Sequence, residues 1–231
     1  MDEMIKKSAS VGSLEITDAE LSLINKQTLK ALTADQVFTF KIAMCDNQVD
    51  RDFEKFSDGA LKDLAKMYVG KTMISDHSAS AKNQCARIYA TEIAEKGEVK
   101  QLIAHCYSIR TDSNKDFIAE VEGGIKKEVS VGCAVGKAIC SICGADNRKV
   151  WCDHYGGKEY DGKQCYFTLD KALDAYEVSF VAVPAQPNAG VTKSYGAEKP
   201  KTTIEQSESD FDFEMKSLDA FLFVNTNLEE N

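Results

Sequence analysis

Glu128-Val129-Ser130-Val131-Gly132-Cys133, preceded by the glycine pair Gly123-Gly124, is the stretch whose reading decides the rest of the chain. It is short, β-rich and alternating. As a strand it sends Ser130 to the face opposite Val129 and Val131. A hydroxyl among β-branched residues is either an ordinary sheet position or a nucleophile held on a rigid element. Two other stretches bear on that choice. One is Asp76-His77, which directly follows the β-rich Thr72-Met73-Ile74-Ser75, and the other is Glu177-Val178-Ser179-Phe180-Val181. A histidine at the point where a strand hands over to a loop stands where functional residues concentrate. Glu177-Val178-Ser179 repeats the letters of Glu128-Val129-Ser130, so two glutamates near serines compete to be a third catalytic member.

Around these stretches the pattern alternates between helix and strand signals. Thr17-Asp18-Ala19-Glu20 is a capping box opening a helix expected over 18–32. Val37, Phe38, Phe40 and Ile42 mark a first core strand, and Asp46 to Asp52 form a polar, solvated turn. Ser57 caps a helix over 58–68 with Leu61, Leu64, Ala65 and Tyr68 on one face, ended by Gly70. Residues 87–94 and 99–109 flank Glu95-Lys96-Gly97-Glu98 as a β-hairpin, in which His105 alternates as a structural residue. Thr111 or Ser113 caps a helix over 114–122, and a buried strand spans 175–183 before Pro184 and Pro187 break it. These elements define an α+β protein.

With 231 residues, 43% of them hydrophobic and 28% charged, the chain can bury one main core. A formal charge of -9 argues against a nucleic-acid binder, which needs a basic stripe. No apolar run approaches the ~18 residues that span a bilayer. Met1 to Lys7 lacks an apolar signal core, which predicts a chain that is not secreted. Eight cysteines in such a chain point to thiols and a metal rather than to a disulfide framework.

The most specific chemical signal is Cys140-Ser141-Ile142-Cys143-Gly144, followed by Cys152-Asp153-His154 and then Cys165. A two-residue gap lets both thiolates of a C-x-x-C face one ion, and Gly144 permits the tight turn. Cys152 and His154, two apart, fall on one side of an extended segment. Together they make a Cys₃His set with tetrahedral zinc spacing, in which Cys165 can replace one member, Cys152 first among them. All four positions are filled by protein, so the expected ion is a structural zinc. A lobe so small and rich in glycine and charge needs such a staple.

Taken together, the motifs resemble those of the tailed-phage prohead (capsid maturation) serine proteases, relatives of the herpesvirus assemblins. The likeness covers residues 37–190. It rests on Asp50-Arg51-Asp52, Gly70-Lys71 leading to Asp76-His77, Glu128-Val129-Ser130-Val131-Gly132, and Glu177-Val178-Ser179-Phe180-Val181 running into Pro184-Ala185-Gln186-Pro187-Asn188-Ala189. It implies a compact β-barrel-like core with flanking helices over 37–190, behind an N-terminal segment with one helix (1–36). Ser130 matches the family's nucleophile and His77 its general base. Glu177 is preferred as third member, because a carboxylate on a neighbouring strand can orient the imidazole whereas Asp76 is too close along the chain. The resemblance further implies action inside the assembling prohead, in the host cytoplasm, on scaffold and major capsid proteins and on the chain itself. Net charge and hydropathy leave no nucleic-acid or membrane partner expected, and a homo-oligomer is left open. The cysteine lobe, at about 138–168, departs from the catalytic pattern and reads as an inserted zinc ribbon. Residues 191–231 read as an acidic, flexible tail with an amphipathic patch at 215–224. The alternative is a catalytically silent, zinc-stapled head-assembly protein.

Overall fold

The computed structural model describes residues 16–192. The first fifteen residues and all of the expected 191–231 tail but Val191 and Thr192, its 215–224 patch included, lie outside the described residues. Val191 belongs to a strand rather than to a flexible tail. Helix α1 (Asp18–Asn25) opens with the expected capping box: Thr17 Oγ1 accepts the Glu20 N–H at 3.2 Å while Glu20 Oε2 accepts the Thr17 N–H at 3.0 Å. It ends seven residues earlier than its apolar spacing suggests. Asn25 Oδ1 accepts the Leu32 N–H at 2.8 Å and its Nδ2 donates to the Leu32 carbonyl at 3.1 Å. That side chain stands in for backbone partners and turns the following segment back. The helix rests on a small cluster of Ile24, Val37, Tyr89, Ala90 and Tyr107.

The strands that follow are β1 (Val37–Asp46) and β2 (Glu54–Phe56), then helix α2 (Asp58–Met67) and β3 (Thr72–Ser75). The hairpin β4 (Ala86–Lys96) and β5 (Val99–Ile109) leads to α3 (Lys115–Glu122). Next come β6 (Val129–Cys140), the two-residue strands β7 (Glu159–Tyr160) and β8 (Lys163–Gln164), β9 (Phe167–Phe180) and β10 (Gly190–Val191). Eight strands make one sheet in the order β10-β1-β5-β4-β3-β9-β2, with β6 also paired to β9. β7 and β8 pair only with each other. The architecture is thus mixed α+β, mostly sheet with few helices.

The strands do not close a barrel. The sheet curls until the start of β6 meets β10, where one isolated bridge, Glu128 to Gly190, and two backbone bonds, from the Val191 N–H to the Lys127 carbonyl at 2.7 Å and from the Val129 N–H to the Ala189 carbonyl at 3.5 Å, cross the gap. Inside the curl, α2 buries Ala60, Leu61, Leu64, Ala65 and Tyr68 in one cluster with Ile42, Met44, Ile88, Leu102, Val129 and Val178. Its N-cap is Ser57, whose Oγ accepts the Ala60 N–H, and Gly70 follows it with φ 85°. Each fully buried leucine of that face contributes about 1.5–3 kcal/mol.

Two strands organise the remainder. β6 and β9 pair antiparallel from Val129–Phe180 at one end to Cys140–Phe167 at the other, through register shifts at Gly132/Cys133 and Ala134/Val135. Ser130 sits at one end of this ribbon and Cys140 at the other. β3 lies parallel to the far half of β9, with Thr72 opposite Glu177 and Ile74 opposite Ser179.

Candidate active site and metal centre

β3 runs straight into a tight turn. The Ser78 N–H donates to the Ser75 carbonyl at 3.1 Å, and Asp76 and His77 have φ of 55° and 50°. Two successive left-handed residues closed by an i to i+3 bond form the mirror-image turn that glycine and asparagine usually occupy. Holding such residues costs about 1–3 kcal/mol each, so the surroundings must enforce it. Two bonds to β9 do so: the Asp76 N–H donates to the Phe180 carbonyl at 3.0 Å, and the His77 N–H donates to Ser179 Oγ at 2.7 Å.

The turn brings His77 to Glu177. Its Nδ1 lies 2.7 Å from Glu177 Oε1, with the imidazole about half exposed and the carboxylate largely covered. A carboxylate on Nδ1 fixes the tautomer that leaves Nε2 as a base. Among the described residues Nε2 carries no hydrogen bond. Of the two glutamates in the repeated triplets only Glu177 reaches the histidine, since Glu128 lies in the bridge to Gly190. Asp76 is exposed and contributes its backbone N–H.

Register places the serine on the same face. Ser130 is directly opposite Ser179 and Gly132 directly opposite Glu177. Opposed residues of an antiparallel pair share a face of the sheet, so Ser130, Gly132, Glu177 and Ser179 line one surface beside the His77 turn. Ser130 is half-buried, and among the described residues its hydroxyl makes no hydrogen bond, to His77 or otherwise. A nucleophile–base bond that closes only when substrate arrives is common in free enzymes.

Gly132 and Ser179 on this face, and Tyr68 beneath it, were given no site role from sequence. A Cβ on Gly132 would stand 2.5 Å from Glu177 Oε1, so glycine makes room for the carboxylate. The signal was legible, since glycine inside a strand marks a close approach. Beneath it, the Tyr68 hydroxyl donates to the Gly132 carbonyl at 2.9 Å, and burial pushes this phenol well above its ordinary range, so it keeps its proton. Burial likewise pushes the neighbouring Cys133 thiol up to about 11, leaving it neutral and unreactive. Ser179 is fully buried. His105, read as structural, is buried in β5 with Nε2 3.0 Å from Glu92 Oε1.

At the other end of the ribbon, the ligand atoms of Cys140, Cys143, Cys152 and His154 all lie within 4.8 Å of one another. This cluster could hold a metal ion. The knuckle forms as its glycine requires: Gly144 has φ 74°, its N–H donates to the Cys140 carbonyl at 2.9 Å, and the Ile142 N–H points at Cys140 Sγ at 3.4 Å. Burial raises the Cys140 thiol, but the N–H groups of Cys143 and Ile142 and the thiols of Cys143 and Cys152 outweigh it and hold the group below its ordinary value. His154 Nδ1 is buried with no hydrogen-bond partner, while the ring stands edge-on to Tyr160 at 4.6 Å. An orphaned buried nitrogen beside three sulfurs fits a metal ligand. Cys165 lies outside the group of four, although its Sγ is 3.9 Å from Cys140 Sγ; burial and the neighbouring Cys140 push it up to about 11. The lobe is tied to the body through Phe53, whose ring fills the space where a side chain on Gly157 would go and whose carbonyl accepts the Phe167 N–H at 2.9 Å. The loop that carries Phe53 also sends Arg51 to the carbonyls of Pro184 and Ala185.

No protein-family model, curated protein or solved structure matches the chain. Among the described residues, no helix is long and apolar enough to cross a membrane.

Proposed function

We propose that this protein is a serine endopeptidase in which Ser130 is the nucleophile, His77 the general base and Glu177 the carboxylate that orients it. The observation that carries the reading is the 2.7 Å contact of His77 Nδ1 with Glu177 on the face that Ser130 shares. In this mechanism His77 Nε2 takes the Ser130 proton as Oγ attacks the scissile carbonyl, and later returns it to the leaving amine. Glu177 stabilises the imidazolium formed between those steps. The motif order further supports a capsid-maturation protease resembling the prohead and assemblin families, acting on scaffold and capsid proteins within the assembling head.

The Cys140, Cys143, Cys152 and His154 set is read as a structural zinc site, since Cys₃His donors in tetrahedral number leave no position for water. When bound, the ion would fix the end of the β6–β9 ribbon opposite the serine. A second reading is a non-catalytic, metal-stapled assembly protein, favoured by the absence of a hydrogen bond from the Ser130 hydroxyl among the described residues. Intact-mass spectrometry after incubation at neutral pH, alone and with co-expressed capsid protein, separates the two. The protease reading expects cleavage products from wild type and none from Ser130→Ala or His77→Ala. Equal cleavage in Ser130→Ala, or none from wild type in the presence of capsid protein, overturns it.

A further inference from the structure

Ser179 belongs to neither the nucleophile, the base nor the orienting carboxylate, yet it touches the turn on which the base is mounted. We propose that Ser179 is a positioning residue: its buried hydroxyl holds the backbone of His77 in its left-handed conformation and so sets the imidazole over Ser130. The inference rests on the protease reading above and adds a residue to it.

Four observations converge. Ser179 is fully buried, and its Oγ accepts the His77 N–H at 2.7 Å. His77 and Asp76 both have positive φ, which costs any residue but glycine even though Asp and His tolerate it better than most, so contacts that hold the turn matter. Ser179 lies directly across β6–β9 from Ser130 and, through the parallel pairing, beside Ile74 of the strand that leads into the turn. Finally, Glu177 is two residues before it on β9, so one strand grips the histidine twice, at Nδ1 and at the main-chain N–H. A single hydroxyl therefore ties the main chain of the base to β9, directly opposite the nucleophile on the paired strand β6. An alanine there leaves the His77 N–H without its acceptor and lets the turn relax toward ordinary backbone. An ångström of misplacement in a reacting group costs on the order of 10²-fold in rate.

The test compares full-length wild type, Ser179→Ala and Ser179→Thr. Active sites are first titrated with a fluorophosphonate, peptide hydrolysis is normalised to that titre, and His77 amide exchange is followed by NMR. The expected result for Ser179→Ala is a kcat roughly 10- to 100-fold lower per titrated site with KM unchanged, together with faster His77 amide exchange. Ser179→Thr, which keeps the acceptor, recovers most of the rate. Unchanged kcat per site in Ser179→Ala overturns the proposal, as does a loss accounted for wholly by a lower titre. If wild type shows no Ser130-dependent reaction, the protease reading is what fails, and the role of Ser179 in catalysis falls with it. Amide exchange separates the two failures. Protection in wild type that is lost in Ser179→Ala leaves the turn held as described, whereas equal exchange in both refutes the hold itself.

Discussion

Gly132→Ala is a one-carbon change with a calculable consequence. The new Cβ would lie 2.5 Å from Glu177 Oε1, 3.2 Å from its Cδ and 3.5 Å from its Cγ. Non-bonded carbon and oxygen do not approach that closely, so the carboxylate must withdraw. It is not a free end, because Oε1 is held by His77 Nδ1 at 2.7 Å. Retreat by about 1 Å stretches that bond beyond the range in which hydrogen bonds are useful. Hydrogen bonds to charged groups are worth about 1.5–3 kcal/mol, and the loss falls on the state in which the imidazole is protonated. At 1.36 kcal/mol per factor of ten, kcat should fall about 10- to 150-fold. Stability should move little, since replacing glycine restricts the unfolded chain by about 0.4–1 kcal/mol in the opposite sense to the clash. The assay is titrated peptide hydrolysis beside a urea melt. Gly132→Ala and Glu177→Ala should also combine non-additively, because both act through one carboxylate. A Gly132→Ala protein with kcat within twofold of wild type refutes the reasoning.

Other consequences follow from the same contacts. Tyr68→Phe removes the buried donor to the Gly132 carbonyl and should lower unfolding free energy by about 1–3 kcal/mol in a urea titration; no change means that the bond is not made in solution. Cys143→Ser should reduce bound metal below one ion per chain and open the Gly156-Gly157 turn to limited proteolysis while the main sheet persists; full occupancy with wild-type protection contradicts the assigned cluster. The Ser57 hydroxyl, 2.6 Å from Asp170, holds that carboxyl below its ordinary value. A depressed folded pKa gives stability present above the unfolded value and lost as pH falls through the folded one. The advantage of wild type over Asp170→Asn should therefore be constant from neutral pH to about 5 and shrink from about pH 4 downward; a difference that grows on acidification reverses the sign.

Much of the site was legible because its parts are local. His77 at the end of a β-rich run, Ser130 in an alternating run and the C-x-x-C knuckle each need only a few neighbours to be read. The choice of Glu177 over Glu128 was not local; it depends on β3 lying parallel to β9 and on the turn at Asp76 and His77. The ribbon of β6 and β9 is far longer than the alternation suggested, because register shifts at Gly132/Cys133 and Ala134/Val135 interrupt the period of two. The end of α1 escaped a periodicity argument since Asn25 bonds Leu32 through its side chain. Cys165 looked equivalent to Cys152 by spacing, and only side-chain placement separates them. Ser179 was hidden by its own ordinariness: a buried serine on a strand announces nothing until the histidine backbone is seen to lean on it.

The central claim is that Ser130 is made nucleophilic by His77. The most direct measurement is adduct mapping: full-length wild type, Ser130→Ala and His77→Ala are incubated with a fluorophosphonate, weighed intact and sequenced by peptide mass spectrometry. The account predicts one phosphonyl group per wild-type chain, located on Ser130, and none on either variant. A folded wild-type protein that takes up no adduct, or takes it up on another residue, or a His77→Ala protein that labels as fast as wild type, contradicts it.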